Sequence, residues 1–463
     1  MTDRLSSGNR HLDTILSGGL LRNAINLIVG IPGSGKTILS QQFAFQNATR
    51  ESPALYLSTL SEPLDKIMRY AESMEFFDRA AIHDGRIVYE DMGQVLGERG
   101  LDDVILTVDR FLKEIKPGVV VIDSFRAFHA MAPDASTFRH FLYELTRRLT
   151  AAATTSIWNA PYSRTEAVGE AEFAVADAII ALDVKLIAER EVRVLQVMKL
   201  RGSGYLSGEH VYRVTSSGIS VFPRVADTQD EARYELSASR TGSGIGALDD
   251  LLGGDGYWSG AATLIVGPSG VGKTLMGLHF LYHGAREAEP GILATFQENE
   301  SQLSRIVGGF GWSIDDPGVK IMSRGMVDLN IDEWVYDLLG LVESTGARRV
   351  VIDSLADLMA GAGDPVRFRE WMFSLIQRCT RVGVSLMLII EVADLFQLRR
   401  ISDDAISHLA DNVVLLQYVQ EGAELTRALT VLKTRAMRHR PVIHRYEITD
   451  KGFVLGEALP LTR

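Results

Sequence analysis

Two short segments decide the fold of this chain: GIPGSGKT at residues 30–37 and GPSGVGKT at residues 267–274. Both match the phosphate-binding pattern G-x-x-x-x-G-K-[ST], the Walker A motif. Each follows an apolar, strand-like run (INLIV or ATLIV) and precedes a helix-like run. In such a loop, glycines let backbone N–H groups turn inward toward phosphate oxygens, and the helix N-terminus adds partial positive charge. The sequence therefore predicts two nucleotide phosphate sites.

Individual side chains of these loops have predicted tasks. Lys36 and Lys273 would reach the β- and γ-phosphates, and the hydroxyl groups of Thr37 and Thr274 would ligate Mg²⁺. The predicted nucleotide-binding residues are Gly30, Pro32, Gly33, Ser34, Gly35, Lys36 and Thr37 in the first loop, and Gly267, Ser269, Gly270, Val271, Gly272, Lys273 and Thr274 in the second.

An acidic residue ends a later apolar strand in each half. The run VVVI precedes Asp123, and the run VVI precedes Asp353. A carboxylate at the end of a buried strand, beside a phosphate loop, can hold Mg²⁺ or its water ligands. We therefore predict Asp123 with Thr37, and Asp353 with Thr274, as metal ligands. The alternative for each aspartate is a turn or a helix cap.

Three pairs of motifs recur at nearly one spacing. Lys36 and Lys273 are 237 residues apart, Asp123 and Asp353 are 230 apart, and the segments KLRG and KTRA, which begin at Lys199 and Lys433, are 234 apart. A repeat this long indicates two similar domains rather than a solenoid. We place the first domain at 1–224 and a linker at 225–240, where the chain is polar and charged. The second domain, with a short C-terminal tail, is placed at 241–463.

Short apolar runs alternate with helix-like stretches in both halves. This alternation indicates parallel βαβ units, and fully apolar runs such as VVVI are typical of a sheet that is covered on both faces. The predicted fold class is therefore α/β, with two tandem P-loop domains, each a mainly parallel sheet flanked by helices.

The composition narrows the class of protein further. The chain has 463 residues, of which 46% are hydrophobic and 23% charged, and these fractions exclude disorder as the main state. The single cysteine, Cys379, fits a reducing compartment, and neither an export signal nor a membrane span is evident, so we expect a cytoplasmic protein without a membrane partner. The net charge of −11 argues against a broadly basic surface that would bind nucleic acid.

Beyond the loops, the chain resembles the KaiC branch of the RecA/RadA-like P-loop ATPases. The shared features are the opening SG…LD…GG, the K-x-R element, and ISHLADNVVLLQYV at 406–419. The resemblance covers residues 1–224 and 240–457, and it implies two RecA-like domains that bind ATP and Mg²⁺. It also implies a homo-oligomer, a hexameric ring with ATP between neighbouring protomers, which acts on regulatory protein partners.

The resemblance assigns the K-x-R residues to a neighbouring protomer's nucleotide. Lys199 and Arg201 in the first half, and Lys433 and Arg435 in the second, would be supplied in trans to the γ-phosphate. A cation at that position stabilises the charge that develops on the phosphate in the transition state. The alternative is that these are solvated surface charges.

The family usually has a Glu-Glu pair after the second strand, which polarises the attacking water. The second half has Gln297-Glu298, so Glu298 is the predicted general base, because a carboxylate can accept a proton. The alternative for Glu298 is an exposed acid at a helix start. Aligning LDKI with LSRI puts Ser58 and Thr59 at the carboxylate positions of the first half, although a shifted alignment would bring Glu62 closer. We therefore expect the first domain to bind ATP and to hydrolyse it slowly or not at all.

The autokinase members of the family phosphorylate an adjacent Ser-Thr pair. Matching 406–419 to that region puts Ser407 on the serine and His408, which has no hydroxyl group, on the threonine. Ser402 lies on a nearby threonine position. Ser407 is therefore a candidate phosphorylation site, and its alternative role is to cap or pack a helix.

Two further segments have open interpretations. The run QLRR at 397–400 could contact DNA or a partner, but two arginines are few for nucleic-acid binding. Asn159 follows the TSIW strand and could sense a γ-phosphate or simply end that strand.

Together these features favour a KaiC-like regulatory ring protein that binds and hydrolyses ATP, with serine/threonine autokinase activity in the second domain as a further hypothesis. One alternative is a RecA/RadA-like DNA-dependent ATPase of recombination or repair, which should carry basic loops and an added DNA-binding domain. Another is a catalytically inactive, ATP-dependent scaffold.

Overall fold

A computed structural model gives the fold of the chain. It describes residues 4–59, 63–163, 166, 170–187, 190–227, 238–325, 329–362, 364–392, 408–435, 439, 441–450 and 452–459. The chain divides into two compact units, Met1–Thr228 and Gln229–Arg463. The linker at 225–240 stays a prediction, since residues 228–237 lie outside the described part.

Strands and helices alternate through most of the first unit. Its strands are β1 (Arg4–Leu5), β2 (Leu20–Leu21), β3 (Ile25–Gly30), β4 (Ala54–Ser58), β5 (Ile87–Asp91), β6 (Val119–Asp123), β7 (Thr155–Ala160), β8 (Ala178–Ile187), β9 (Arg190–Leu200), β10 (His210–Thr215) and β11 (Gly218–Phe222). Its helices are α1 (Arg10–Ile15), α2 (Lys36–Asn47), α3 (Leu64–Ala71), α4 (Arg79–His83), α5 (Gly93–Glu114), α6 (Arg126–Met131), α7 (Ala135–Ala151) and α8 (Ala171–Val175).

The second unit has the same alternation. Its strands are β12 (Arg240–Thr241), β13 (Tyr257–Trp258), β14 (Ala262–Gly267), β15 (Gly291–Thr295), β16 (Val319–Ser323), β17 (Arg349–Asp353), β18 (Ser385–Glu391), β19 (Asn412–Glu421), β20 (Glu424–Thr434), β21 (His444–Thr449) and β22 (Gly452–Ala458). Its helices are α9 (Gly246–Leu251), α10 (Lys273–Arg286), α11 (Glu300–Gly309), α12 (Ile331–Thr345), α13 (Leu355–Ala362) and α14 (Pro365–Arg381).

Each unit is built on one nine-stranded sheet, and the two sheets have the same topology. The first has the order β11-β10-β9-β8-β3-β7-β6-β4-β5, and the second has the order β22-β21-β20-β19-β14-β18-β17-β15-β16. The six strands from β8 to β5 pair in parallel, whereas β8, β9, β10 and β11 pair antiparallel. The second sheet repeats this division. The observed architecture confirms the predicted fold class.

The central strands are buried on both faces, because helices cover both sides of the sheet. Along β3, Leu27 packs into the cluster that contains residues of α5 and α7, and Ile28 packs into the cluster that contains Leu39 and Phe43 of α2. This alternation follows from the two-residue period of a strand. It explains why INLIV has no polar face: each side chain meets an apolar layer.

The fold places each phosphate loop at the carboxyl edge of its sheet. Strand β3 lies between β7 and β8, and β14 lies between β18 and β19, so each loop follows a central strand at the point where the order of strands reverses. In open α/β sheets this crevice is where ligands bind. Among the described residues, no helix is both long enough and apolar enough to span a bilayer.

Candidate functional site

Both phosphate loops have the backbone shape that the motif requires. The loops connect β3 to α2 and β14 to α10, and the two helices begin at the loop lysines. The residues that precede these helices, Gly35 and Gly272, have left-handed φ angles of 93° and 99°. A residue with a Cβ atom is disfavoured in that conformation, which accounts for glycine before each lysine.

The two loop lysines are buried and contact the carbonyl groups of their own loops. The Nζ atom of Lys36 donates to Gly30 O at 2.8 Å and to Ile31 O at 2.9 Å. Burial lowers the pKa of Lys36, and the neighbouring Asp123 carboxylate opposes that shift. In the second loop, Lys273 Nζ donates to Pro268 O at 2.8 Å and lies 3.4 Å from Glu391 Oε2, at the end of β18.

The structure brings together the threonines and aspartates that the sequence predicted as Mg²⁺ ligands. Thr37 Oγ1 donates to Asp123 Oδ2 at 2.7 Å, and Thr274 Oγ1 donates to Asp353 Oδ2 at 2.6 Å. Both aspartates end a strand next to the loop helix. A hydroxyl and a carboxylate oxygen side by side are a donor set that suits Mg²⁺, so the residues fit the predicted ion in both halves.

The surroundings of the two aspartates differ. Tyr56, on β4, is buried and donates to Asp123 Oδ2 at 2.7 Å. Burial, together with the Asp123 carboxylate, raises the pKa of Tyr56, so the phenol stays a donor. In the second unit, burial raises the pKa of Asp353 to about 6; the Thr274 hydroxyl opposes this shift and the Glu298 carboxylate adds to it. Sequence reasoning did not single out Tyr56, which sits inside an otherwise apolar strand.

The predicted general base lies beside the second metal site. Glu298 Oε2 accepts a hydrogen bond from Thr295 Oγ1 at 2.8 Å, at the end of β15. Its neighbour Gln297 donates to Asp357 at 3.1 Å, and Ser354 Oγ donates to the same carboxylate at 2.7 Å. Asp357, which the sequence analysis missed, therefore holds the glutamine at the position where the family usually has a second glutamate.

The strand register corrects the alignment of the first half. Ser58 pairs with Asp123 as Thr295 pairs with Asp353, so Ser58 corresponds to Thr295 and not to Gln297. Counted from Ser58 without a gap, the counterparts of Gln297 and Glu298 are residues 60 and 61, which are leucine and serine. These two residues and Glu62, which follows them directly, lie outside the described part.

The K-x-R residues lie far from the loop of their own unit. Lys199 pairs with Ile179, which pairs with Leu27, and Arg201 N donates to Asp177 O beside the start of β3. The phosphate loop follows the other end of β3: at 3.3 Å per residue, Gly30 lies about 16 Å along the strand from the level of Arg201 and about 10 Å from the level of Lys199. The side-chain nitrogens of both cations contact carbonyl groups of α8, away from the loop of their own unit.

These four cations contact carbonyl groups near the start of the strand that neighbours them. Lys199 Nζ lies 3.3 Å from Phe173 O, and Arg201 forms an ion pair with Asp177 at 3.3 Å. In the second unit Lys433 Nζ donates to Ala410 O at 2.7 Å. Arg435 pairs with Asp411 at 3.3 Å and donates to His408 O at 2.9 Å. Ser407, Ser402 and 397–400 lie outside the described residues, and their roles stay predictions.

Asn159 has a contact that the sequence did not indicate. Its side chain is buried, and Nδ2 donates to Ser40 Oγ on α2 at 2.8 Å. By the same strand register and loop spacing, the second unit has Ile389 and Gly277 at these positions. The hydrogen bond of the Asn159 amide thus joins strand β7 to the loop helix α2.

Strands from the antiparallel end of each sheet reach back to the phosphate loop. Tyr212, on β10, donates to Ser34 O at 2.6 Å, and Tyr446, on β21, donates to Val271 O at 2.5 Å. Arg193, on β9, donates to Gly33 O at 2.8 Å. No sequence motif marks these residues, because their effect depends on strands that lie nearly 180 residues away in the chain.

Two phosphate loops, each with a threonine–aspartate pair at the switch point of an α/β sheet, define a tandem P-loop nucleotide-binding protein. A family model described as "ATPase: KaiC" matches residues 5–226 and 241–459. The chain belongs to this family of ATPases.

Curated relatives cover nearly the whole chain. The circadian clock oscillator protein KaiC 1 of Synechocystis is 29% identical over 455 residues, which is 95% of this chain and 86% of that protein. The circadian clock oscillator protein KaiC of Rippkaea orientalis is 28% identical over 459 residues, with 95% and 86% covered. The KaiC protein of Picosynechococcus is 27% identical over 462 residues, with 96% and 88% covered. These matches favour the KaiC-like interpretation over the DNA-dependent ATPase.

Proposed function

We propose that the chain binds Mg·ATP at both loops, hydrolyses it mainly in the second half, and assembles into a hexameric ring that regulates protein partners according to its nucleotide state. The observation that carries this proposal is the position of Glu298 beside the Thr274–Asp353 pair. Counted from the strand register without a gap, the first half has a leucine and a serine in the sequence at the equivalent positions.

The residues of the second loop divide the chemistry among them. Lys273 exchanges its contacts with Pro268 O and Glu391 for phosphate oxygens, and loop N–H groups bind the remaining oxygens. Thr274 and Asp353 hold Mg²⁺, which when bound neutralises charge on the phosphates. These contacts fix the γ-phosphate for attack from one side.

Glu298 then acts on the water. The carboxylate accepts a proton as the water oxygen forms a bond to the γ-phosphorus and the bond to the bridging oxygen of ADP breaks. The products are ADP, inorganic phosphate and the protonated glutamate, which returns its proton to solvent. Thr295 orients the carboxylate through its hydrogen bond, and Gln297 orients the water without taking its proton.

The trans role of the K-x-R residues is part of the proposal. Its support is that Lys433 and Arg435, like Lys199 and Arg201, lie at the amino edge of the sheet, away from their own loop. A neighbour in a head-to-tail ring can bring that edge to the loop of the next protomer. Autophosphorylation of Ser407 stays a prediction.

The substitution Glu298→Gln tests the catalytic assignment. We expect the ATPase activity that comes from the second half to fall by about 10²–10⁴-fold, because general-base catalysis contributes about that much. Binding of ATP should persist. Rates of phosphate release are measured for the wild type, for Glu298→Gln, and for Glu300→Gln, an exposed glutamate two residues later on α11. An unchanged rate in Glu298→Gln, or an equal loss in Glu300→Gln, would refute the assignment.

A further inference from the structure

Away from both phosphate loops, the first unit gathers three metal-ligating side chains. One is His129, on α6 after β6, and the others are Glu170 and Glu172, which lie at the start of α8 after β7. Because β6 and β7 are neighbouring parallel strands, the segments that follow them meet at one edge of the sheet. One ligand atom from each of the three side chains lies within 4.8 Å of the others.

The separations are close to those of a metal coordination shell. His129 Nδ1 lies 3.4 Å from Glu170 Oε2 and 3.5 Å from the Tyr162 hydroxyl oxygen. In a tetrahedral site with bonds of about 2.0–2.1 Å, neighbouring ligand atoms are roughly 3.3–3.5 Å apart. The half-buried Glu170 can rotate to close the longer separations. One ion can therefore contact all three side chains with little movement.

Glu172 is the observation that points most directly to a ligand. Its side chain is fully buried, and Oε1 accepts a hydrogen bond from Tyr162 at 2.5 Å. Its other oxygen, Oε2, is buried and has no hydrogen-bond partner among the described residues. An ionised carboxylate oxygen without a partner in the interior is costly, and a bound cation removes that cost.

Arg126 lies near the cluster but forms no ion pair with its carboxylates within the described part of the chain. The Arg126 guanidinium lies over the Tyr162 ring, 5.2 Å from its centre, and donates to Pro161 O at 3.2 Å. Among the described residues, no ion pair joins Arg126 to Glu170 or Glu172. Within the described part of the chain, the two carboxylates and the imidazole thus have no lysine or arginine as an ion-pair partner.

The histidine is held in place before any ion binds. Its ring stacks on Phe138 of α7, with the centroids 4.4 Å apart and the planes 11° from parallel. This packing restricts the rotation of the imidazole and keeps Nδ1 beside Glu170. A metal ligand that is fixed in this way loses little conformational freedom on binding.

The second unit does not repeat the cluster. With the 230-residue spacing of the two strand-end aspartates, the counterpart of His129 is Met359, on α13. A thioether there offers no imidazole nitrogen, so the second unit has no counterpart of the histidine of this cluster.

We propose that His129, Glu170 and Glu172 bind one divalent transition-metal ion of the zinc class, with water in the remaining position. Imidazole nitrogen with carboxylate oxygens suits Zn²⁺, whereas an all-oxygen set would suit Mg²⁺ or Ca²⁺. The ion would fasten α8 to α6. Lys199 and Arg201 contact carbonyl groups of α8, so the ion would also steady the helix against which these cations rest. This proposal does not depend on the proposed ATPase activity.

Zinc titration of the full chain tests the proposal. The titration is done with saturating Mg·ADP, which occupies the phosphate loops, and uses a chromogenic chelator as competitor. We expect one tight Zn²⁺ per chain in the wild type and in His140→Ala, whose substituted histidine is exposed on α7. We expect His129→Ala and Glu172→Gln each to bind Zn²⁺ at least about 100-fold more weakly, since loss of even an outer partner of a metal ligand costs about 10–100-fold. Equal affinity in all four proteins would overturn the proposal.

A second measurement protects the test against a variant that fails to fold. Zn²⁺ bound to the wild-type chain should shield His129, but not His140, from modification by diethyl pyrocarbonate, as read by peptide mass spectrometry. Bound Zn²⁺ should also raise the melting temperature, because it binds the folded chain in preference to the unfolded one. If His129 reacts equally with and without Zn²⁺, the cluster is an ion pair and a hydrogen bond without a metal, and the proposal is wrong.

Discussion

At the scale of single residues, the two candidate nucleotide sites differ in the residues that surround the same Walker A pattern. Asp123 has a buried phenol as its partner, whereas Asp353 has Glu298 and Asp357 as charged neighbours. Lys273 also faces Glu391, where the strand register puts Pro161 in the first half. The fixed residues of the G-x-x-x-x-G-K-T pattern are the same in both halves, so the proposed difference in chemistry would have to come from the residues around them.

The substitution Glu391→Gln should strengthen ATP binding at the second loop. It removes a carboxylate that lies 3.4 Å from the Lys273 ammonium group and would face the incoming phosphates. We expect the Kd to fall by about two- to fivefold, since a half-exposed ion pair is worth roughly 0.5–1 kcal/mol. Equilibrium binding of a fluorescent ATP analogue measures this, with a Lys36→Ala background to silence the first loop. Glu424→Gln, at an exposed position on β20, is the matched control. A weaker or unchanged affinity in Glu391→Gln would contradict the expectation.

At the scale of strands and helices, the antiparallel end of each sheet supports the loop of the parallel end. Tyr212 and Tyr446 occupy equivalent strands, β10 and β21, and each donates to a carbonyl group of its loop. The loop conformation therefore depends on strands that carry no recognisable motif.

The substitution Tyr446→Phe should loosen the second loop. It deletes one buried hydrogen bond and leaves Val271 O without that donor, which should cost about 1–3 kcal/mol of stability. We expect a lower melting temperature and weaker ATP binding at the second loop, while Tyr143→Phe, at an exposed position on α7, serves as a control that removes a hydroxyl without this bond. Calorimetry of both variants checks the effect. Equal melting temperatures would show that the hydrogen bond contributes nothing.

Much of this architecture was predictable because its signals are local. Each phosphate loop is contiguous, its flanking strand and helix are adjacent in sequence, and an aspartate after VVVI or VVI is easily recognised. Tyr56, Asp357 and Glu391 were not predictable, because their importance comes from strand register and from distant partners. The alignment of Ser58 and Thr59 failed for the same reason: helix residues were matched, whereas the strand pairing sets the true correspondence.

At the scale of the whole molecule, the proposed trans role of the K-x-R residues would make each active site depend on a neighbouring chain. A mixing experiment tests this. Chains with Glu298→Gln and chains with Arg435→Ala should each lack second-half activity, yet rings assembled from an equal mixture should recover about one quarter of it. That fraction of head-to-tail interfaces pairs an intact Glu298 with an intact Arg435.

The control is a chain that carries both substitutions. Rings assembled from this chain alone should have no second-half ATPase activity. ATP-dependent assembly is followed by mass measurement in the same samples. A mixture that is no more active than the average of its components would place both residues in a site formed by one chain. A chain that stays monomeric at every ATP concentration would contradict the proposed ring.

The separation of loop and K-x-R residues along the central strands has a mechanical consequence. In the proposed ring, each parallel sheet has one nucleotide at its carboxyl edge and the neighbour's nucleotide at its amino edge. The sheet would move as one rigid body between these two nucleotides. A small tilt of one sheet would move cations toward or away from the adjacent γ-phosphate. Hydrolysis in one protomer could then be transmitted around the ring as a change of tilt, without any change in the loops themselves.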